Sequence, residues 1–182
     1  CTMTSYSRTN SEIKNEEIKL VDDEFIVSKT DTKGRITYAN RIFMEISGYA
    51  EADLLGVQQN IIRHPDMPRG VYRFLWETIE SGKEFFGFVK NLCADGRYYW
   101  VLANVTPDYD TSGTLTGYLS VRRKPSQHAI DHIVPIYEAM LDIEKRASSK
   151  KTAPDESIAY LLQQMKDMKI DYQSYILALF ND

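Results

Sequence analysis

The densest set of groups able to do chemistry is the run Asn60-Ile61-Ile62-Arg63-His64-Pro65-Asp66-Met67-Pro68. Arg63 offers a planar fork of donors suited to phosphate or to the polar edge of a ring, and His64 donates or accepts according to its tautomer. Pro65 and Pro68 hold the segment open. The same residues also suit a plainer role, in which the prolines terminate helices and Arg63 pairs with Asp66 at the surface. Spacing alone does not choose between the two. The aromatic residues are the second clue: 12 Tyr, 7 Phe and 2 Trp, with Tyr72, Phe74, Trp76, Phe85, Phe86, Phe88, Tyr98, Tyr99 and Trp100 crowded into one stretch. Core packing accounts for most of them, but a planar ligand held inside a curved sheet would also use several.

Other motif-like strings carry less. His128, Asp131 and His132 place two imidazoles at i and i+4 on one helix face, as metal ligands are placed, with no third ligand evident. Asp108-Tyr109-Asp110-Thr111-Ser112-Gly113 opens like a calcium loop, but the twelfth position is Leu119 and not a bidentate Glu, so it reads as a turn. Asn104-Val105-Thr106 matches a glycosylation sequon by chance. The sequence has no phosphate-gripping Gly-rich loop, Ser-His-Asp ordering or kinase signature, which favours a sensor over an enzyme.

The elements that must position these groups follow from periodicity. Phe25-Ile26-Val27 and Arg35-Ile36-Thr37-Tyr38, joined by Asp31-Thr32-Lys33-Gly34, read as a hairpin. Asn40 stands as a helix cap, with Ile42, Phe43 and Ile46 at helical spacing until Gly48. Short pieces broken by Gly56, Pro65 and Pro68 follow, in the manner of a site wall. Val71, Phe74, Leu75, Thr78 and Ile79 then form one stripe of an amphipathic helix. Three strands come next, over 85–92, 97–106 and 114–123, linked by Ala94-Asp95-Gly96 and Asp110-Thr111-Ser112-Gly113. The result is an α+β domain over 21–125 with a single curved antiparallel sheet. Before it, residues 1–20 form a partly helical leader. After it come a connecting helix over 126–147, kinked or divided at Pro135, a polar hinge over 148–154, and a helical pair over 155–182 in which Asp171 caps the second helix and Ile170 staples it to Tyr175.

With 182 residues, 43% apolar and 26% charged, the chain suits one globular domain plus an extension. Its 22 basic and 26 acidic residues leave a formal charge of -4, which disfavours nucleic acid as a partner. The apolar runs are far shorter than the roughly 18 to 20 residues of a membrane helix. Two cysteines, Cys1 and Cys93, and no signal-peptide pattern point to reducing cytoplasm. The chain opens on Cys1, as a trimmed fragment would, and a missing part could hold a membrane anchor.

Taken together, Tyr38-Ala39-Asn40, Ser47-Gly48-Tyr49, the 60–68 run, Val89-Lys90-Asn91, Asp95-Gly96, Tyr99-Trp100-Val101 and Gly117-Tyr118-Leu119-Ser120-Val121-Arg122 resemble a PAS domain. They resemble the flavin-binding type of bacterial aerotaxis and energy-taxis receptors of the Aer kind, over about residues 25–124. That resemblance implies a PAS fold, a five-stranded antiparallel sheet with short helices closing one face, and FAD held noncovalently between them. Arg63, His64 and Asp66 match the family's flavin-retaining motif, Trp76 an aromatic on the longer helix, Asn91 the strand asparagine, and Asn40 the asparagine at the start of the first helix. Phe85 stands where the family often has Trp. Asn91, with both a donor and an acceptor, suits the polar edge of an isoalloxazine.

The implied function is reporting redox state or oxygen to a chemoreceptor-type signalling protein, or to a missing C-terminal signalling region, through the helices after Pro125. A homodimer is another use for those helices, and association with a membrane-bound receptor fits the same family. A cofactor-free dimerisation module and a haem gas sensor are the alternatives. Haem needs an axial His, and His64 is the domain's single histidine. Blue-light adduct chemistry needs a Cys in the helical wall, whereas Cys93 lies near a hairpin turn.

Overall fold

The computed structural model describes residues 12–182. Five strands, β1 (Ile26–Thr30), β2 (Ile36–Ala39), β3 (Phe85–Leu92), β4 (Tyr98–Tyr109) and β5 (Leu115–Arg123), form one sheet in the order β2-β1-β5-β4-β3. Every neighbouring pair is antiparallel. Between β2 and β3 lie α1 (Arg41–Ser47), α2 (Glu51–Leu54), a 3-10 turn over Gln59–Ile62, and α3 (Arg69–Glu80). Then follow α4 (Gln127–Arg146), α5 (Ala153–Asp167) and α6 (Tyr172–Asn181). This is the expected α+β architecture with a C-terminal helical extension.

Local chemistry explains the joints. Asp31 closes the β1–β2 turn by accepting from the amides of Lys33 and Arg35, both at 2.9 Å, and these bonds hold its carboxyl below the usual range. Asn40 accepts from the Phe43 amide at 3.1 Å to cap α1, and Gly48 ends that helix in the left-handed region at φ 76°. The Asp110 carboxylate gathers the amides of Ser112 and Thr114 at 2.9 Å each, making the β4–β5 turn from the calcium-like string. At the centre of the sheet, Gly117 of β5 passes so close to Thr30 of β1 that a Cβ would collide with the Thr30 carbonyl.

Three expectations change. The described part of the leader is extended and not helical: Ile18 N–H donates to the Tyr98 carbonyl at 2.8 Å, Tyr98 N–H to Glu16 at 3.0 Å, and Glu17 forms a parallel bridge with Tyr98. The weak helical period of 12–20 yields because backbone groups at the start of β4 offer ladder partners. The earlier leader residues lie outside the described residues. Division at Pro135 does not occur, and α4 runs as one 20-residue helix. Proline costs roughly 3 kcal/mol in an isolated helix. Here buried Ile130, Ile133, Tyr137 and Met140 offset it, with the Tyr137 hydroxyl donating to the Phe88 carbonyl at 2.6 Å.

The third change concerns the polar hinge. Lys150 offers its carbonyl to Arg69 at 2.9 Å, and α5 already begins at Ala153, so the segment is tied to α3. The Glu144 carboxylate accepts from the N–H groups of Arg69 and Gly70, at 2.8 and 3.0 Å, and from the Ser157 hydroxyl at 2.6 Å. One side chain thus satisfies the orphan donors at the start of α3 and joins it to α4 and α5. Asp171 caps α6 by accepting from Ser174 N–H at 2.9 Å.

Candidate functional site

Period-2 alternation turns one set of side chains on each of three adjacent strands toward the helices: Val89 and Asn91 on β3, Ala103 and Val105 on β4, Tyr118, Ser120 and Arg122 on β5. Opposite them α3 presents Tyr72, Leu75, Trp76 and Ile79, one helical stripe. The 3-10 turn adds Gln59, Asn60 and Ile62, and Arg63, Arg69, Arg73 and Pro154 also line the space. The space enclosed is about 400 Å³, within the range of small-molecule sites. Trp76 meets Tyr118 edge to face at 5.6 Å, and the Arg63 guanidinium lies 4.2 Å from the centre of the Tyr72 ring.

The wall is incompletely satisfied. Among the described residues, the Gln59 Oε1, Tyr72 hydroxyl and Arg122 Nε atoms are buried without a hydrogen-bond partner, and all three residues line the cavity. Such groups cost about 1–3 kcal/mol each when left unpaired. Arg122 is only 3% exposed and has no carboxylate partner among the described residues. It donates to the Ser28 hydroxyl and lies 4.5 Å from the Phe43 ring centre. Burial brings its pKa down to about 10. Burial likewise pushes the Tyr72 hydroxyl upward, opposed by Arg63, so it stays a neutral donor. The chemistry on offer is a planar, acceptor-rich guest held between aliphatic and aromatic surfaces.

The structure divides the expected site residues. Arg63, Trp76 and Asn91 meet in the cavity wall, and the backbones of Arg63 and Asn91 form an antiparallel bridge. His64 and Asp66 lie outside that wall. The buried His64 accepts from the Asp66 N–H at Nδ1, 3.0 Å away, and meets Tyr98 edge to face at 6.0 Å. Asp66 takes Lys90 Nζ at 2.9 Å, and that bond lowers its carboxyl below the usual range. These two clamp the segment to β3 and β4 while Arg63 faces inward.

Asn40 also lies outside the wall. Its carbonyl oxygen caps α1 and its amide donates to Phe25 at 2.9 Å, so both ends serve the fold. Phe85, 1% exposed, packs between Phe74 at 6.1 Å and Tyr172 at 5.9 Å, away from the cavity. Gln59, Tyr72 and Arg122, the wall residues with unpartnered polar atoms, were not among the expected site residues. Arg122 had a signal, being a charge on the inward register of β5 shared with Tyr118 and Ser120. Gln59 had none.

Other candidate groups are structural in their contacts. The Cys93 thiol is buried, donates to the Ile46 carbonyl at 3.2 Å, and is pushed up to about 12 by burial, which keeps it from being a ready nucleophile. Cys1 lies outside the described residues. The rings of His128 and His132 are 4.3 Å apart, while Asp131 accepts from Gln127 at 2.8 Å. Among the described residues no group of three or more His, Cys, Asp or Glu is arranged for a metal, and no helix is long and apolar enough to cross a membrane.

Comparison with known proteins places this geometry. Residues 36–122 match the PAS fold family model. The chain is 36% identical over 128 residues to the aerotaxis receptor of Escherichia coli K12, covering 70% of this chain and 25% of that protein. It is 33% identical over 97 residues to a nitrogen fixation regulatory protein of Klebsiella pneumoniae, covering 53% of this chain and 20% of the relative. The chain thus spans a quarter or less of the length of these curated relatives. Among solved structures, a light-oxygen-voltage domain studied with a flavin analogue superposes with a TM-score of 0.54 at 22% identity, over 63% of this chain and 86% of that one. Strand order, helical wall and sequence agree: residues 36–122 match the PAS fold, and the chain carries a PAS sensor domain similar to those of signalling proteins.

Proposed function

We propose that the cavity binds FAD noncovalently and that the domain reports redox state or oxygen to a chemotaxis-type signalling partner. The observation that carries this reading is the set of buried, unpartnered polar atoms on the cavity wall, Gln59 Oε1, Tyr72 hydroxyl and Arg122 Nε. An isoalloxazine has donors and acceptors along one edge and apolar faces. Asn91, Gln59, Tyr72 and Arg122 supply the complementary edge, while Trp76, Tyr118, Val89 and Ala103 supply the faces. Likeness to an aerotaxis receptor and to a domain studied with a flavin analogue supports the same choice.

Bound flavin supplies a ring nitrogen that changes from hydrogen-bond acceptor to donor on reduction. The chain's own residues convert that change into structure. Asn91 can rotate its amide to present either atom, and its backbone bridge to Arg63 links the reorientation to the segment that leads into α3. A guest shifts such an equilibrium only through different contacts in its two states. Glu144 and the α5 contacts carry a displacement of α3 into the C-terminal helices.

Purification from cells supplied with FAD tests the reading. The expected protein is yellow, with flavin released on denaturation as FAD. A colourless protein that gains no flavin absorbance on reconstitution leaves a cofactor-free interaction module. A Soret band would place haem in the cavity, although His64 is not on its wall.

A further inference from the structure

Arg63 and Arg69 stand on the border of the cavity. Those two residues and Asn60 also line an open groove of about 940 Å³ between the 60–69 segment and the C-terminal end of α4. Its far side belongs to the extension: Leu141, Glu144 and Lys145 of α4, and Lys150 of the following turn. Arg63, Arg69, Lys145 and Lys150 make it cationic, in a chain whose formal charge is -4. The lining carboxylate, Glu144, is engaged by two amides of α3 and the Ser157 hydroxyl. The neighbouring Asp66 is bonded to Lys90 and also feels Lys145, so it offsets part of that charge. No ion pair to Lys145 or Lys150 forms among the described residues. Val57, Ile61 and Leu141 give the groove an apolar strip beside these charges.

Resting on the flavin reading, we propose that this groove takes the diphosphate and second nucleoside of a dinucleotide, with Lys145 and Lys150 of the C-terminal extension selecting FAD over a flavin that lacks them. The inner cavity of about 400 Å³ suits the ring system. The dianionic diphosphate leaves it where Arg63 and Arg69 stand on both the cavity and the groove, and the two lysines extend that field along its path. The extension is therefore part of the ligand site as well as a cover for α3.

The test measures dissociation constants of FAD and riboflavin, by flavin fluorescence quenching, for the whole chain and for the double variant Lys145→Glu, Lys150→Glu. Lys151→Glu, exposed in the same turn but off the groove, is the control. The double variant should bind FAD at least about tenfold more weakly and riboflavin within about twofold of the unaltered chain. Raising salt should weaken FAD binding in the unaltered chain and much less in the double variant. Parallel losses for both flavins, an unchanged FAD constant, or an unaltered chain that binds riboflavin as tightly as FAD would overturn the proposal while leaving the flavin site standing. A chain that takes up neither flavin removes both.

Discussion

On the side of α3 that carries Phe74, the neighbouring rings pack closely: Tyr172 lies edge-on at 4.9 Å, and Phe85 stacks under Tyr172 at 5.9 Å. The start of the helix is matched as well, its first amides by Glu144. On the side that carries Tyr72 and Trp76, the space beyond holds polar atoms with nothing to bond. One helix thus has a face finished by the chain itself and a face that leaves buried polar atoms unpaired. The lesson is that aromatic crowding does not locate a ligand site, because the densest ring cluster is core. Unpaired buried polarity on a cavity wall is the sharper pointer, since the equally unpaired Tyr99 hydroxyl lies in the core.

Removing the finished face gives the largest expected effect. A truncation ending at Pro125 uncovers Phe74 and Phe85 and strips Trp100 of the Tyr137 ring stacked on it at 6.4 Å. It should precipitate or lose its cooperative unfolding transition. A soluble, folded truncation that retains flavin but loses redox-dependent partner binding would instead make the extension a detachable transmitter. A single substitution on the same face, Phe85→Ala, should cost about 3–5 kcal/mol in denaturant unfolding while leaving the flavin affinity of the folded fraction unchanged. A selective loss of flavin with normal stability would return Phe85 to the ligand site.

The unfinished face responds in the opposite sense. Arg122→Met removes a buried charge, so the ligand-free protein should be between unchanged and about 2 kcal/mol more stable, whereas flavin affinity should fall about tenfold or more. The sign follows from the depressed pKa: the folded state disfavours the charged guanidinium, a penalty present below about pH 10 and relieved as pH rises from there toward the higher value of the unfolded chain. The smallest effect is expected at Asp66→Asn, which breaks an exposed pair with Lys90 and should cost at most about 1 kcal/mol. The Asp66 carboxyl titrates lower when folded than its ordinary 3.8, so its contribution is present above that value and lost as pH falls through the folded pKa. The acid limb of the unfolding curve should therefore flatten in the Asn variant and not shift at neutral pH.

Much of the fold was legible along the chain because its signals are local. Asp31, Asn40, Gly48 and Asp110 each act on neighbours a few residues away, and each sits where turn or cap chemistry puts it. The site was legible only in part. Arg63, Trp76 and Asn91 converge as the motifs implied, but motif adjacency concealed that His64 and Asp66 point to the other side of the segment from Arg63.

The sequence by itself determined the strands, caps and helical stripes, since period and turn chemistry need only nearest neighbours in the chain. It also showed the aromatic residues concentrated between positions 72 and 100. Tertiary structure alone decided three things. It drew residues 12–20 out as an extended segment beside β4, because an open backbone partner outweighs a weak helical period. It carried α4 through Pro135, because packing along a whole helix outweighs one lost hydrogen bond. And it placed Arg122 in the cavity without a carboxylate, since the partners of a buried charge come from elements distant in sequence, here Ser28 and Phe43.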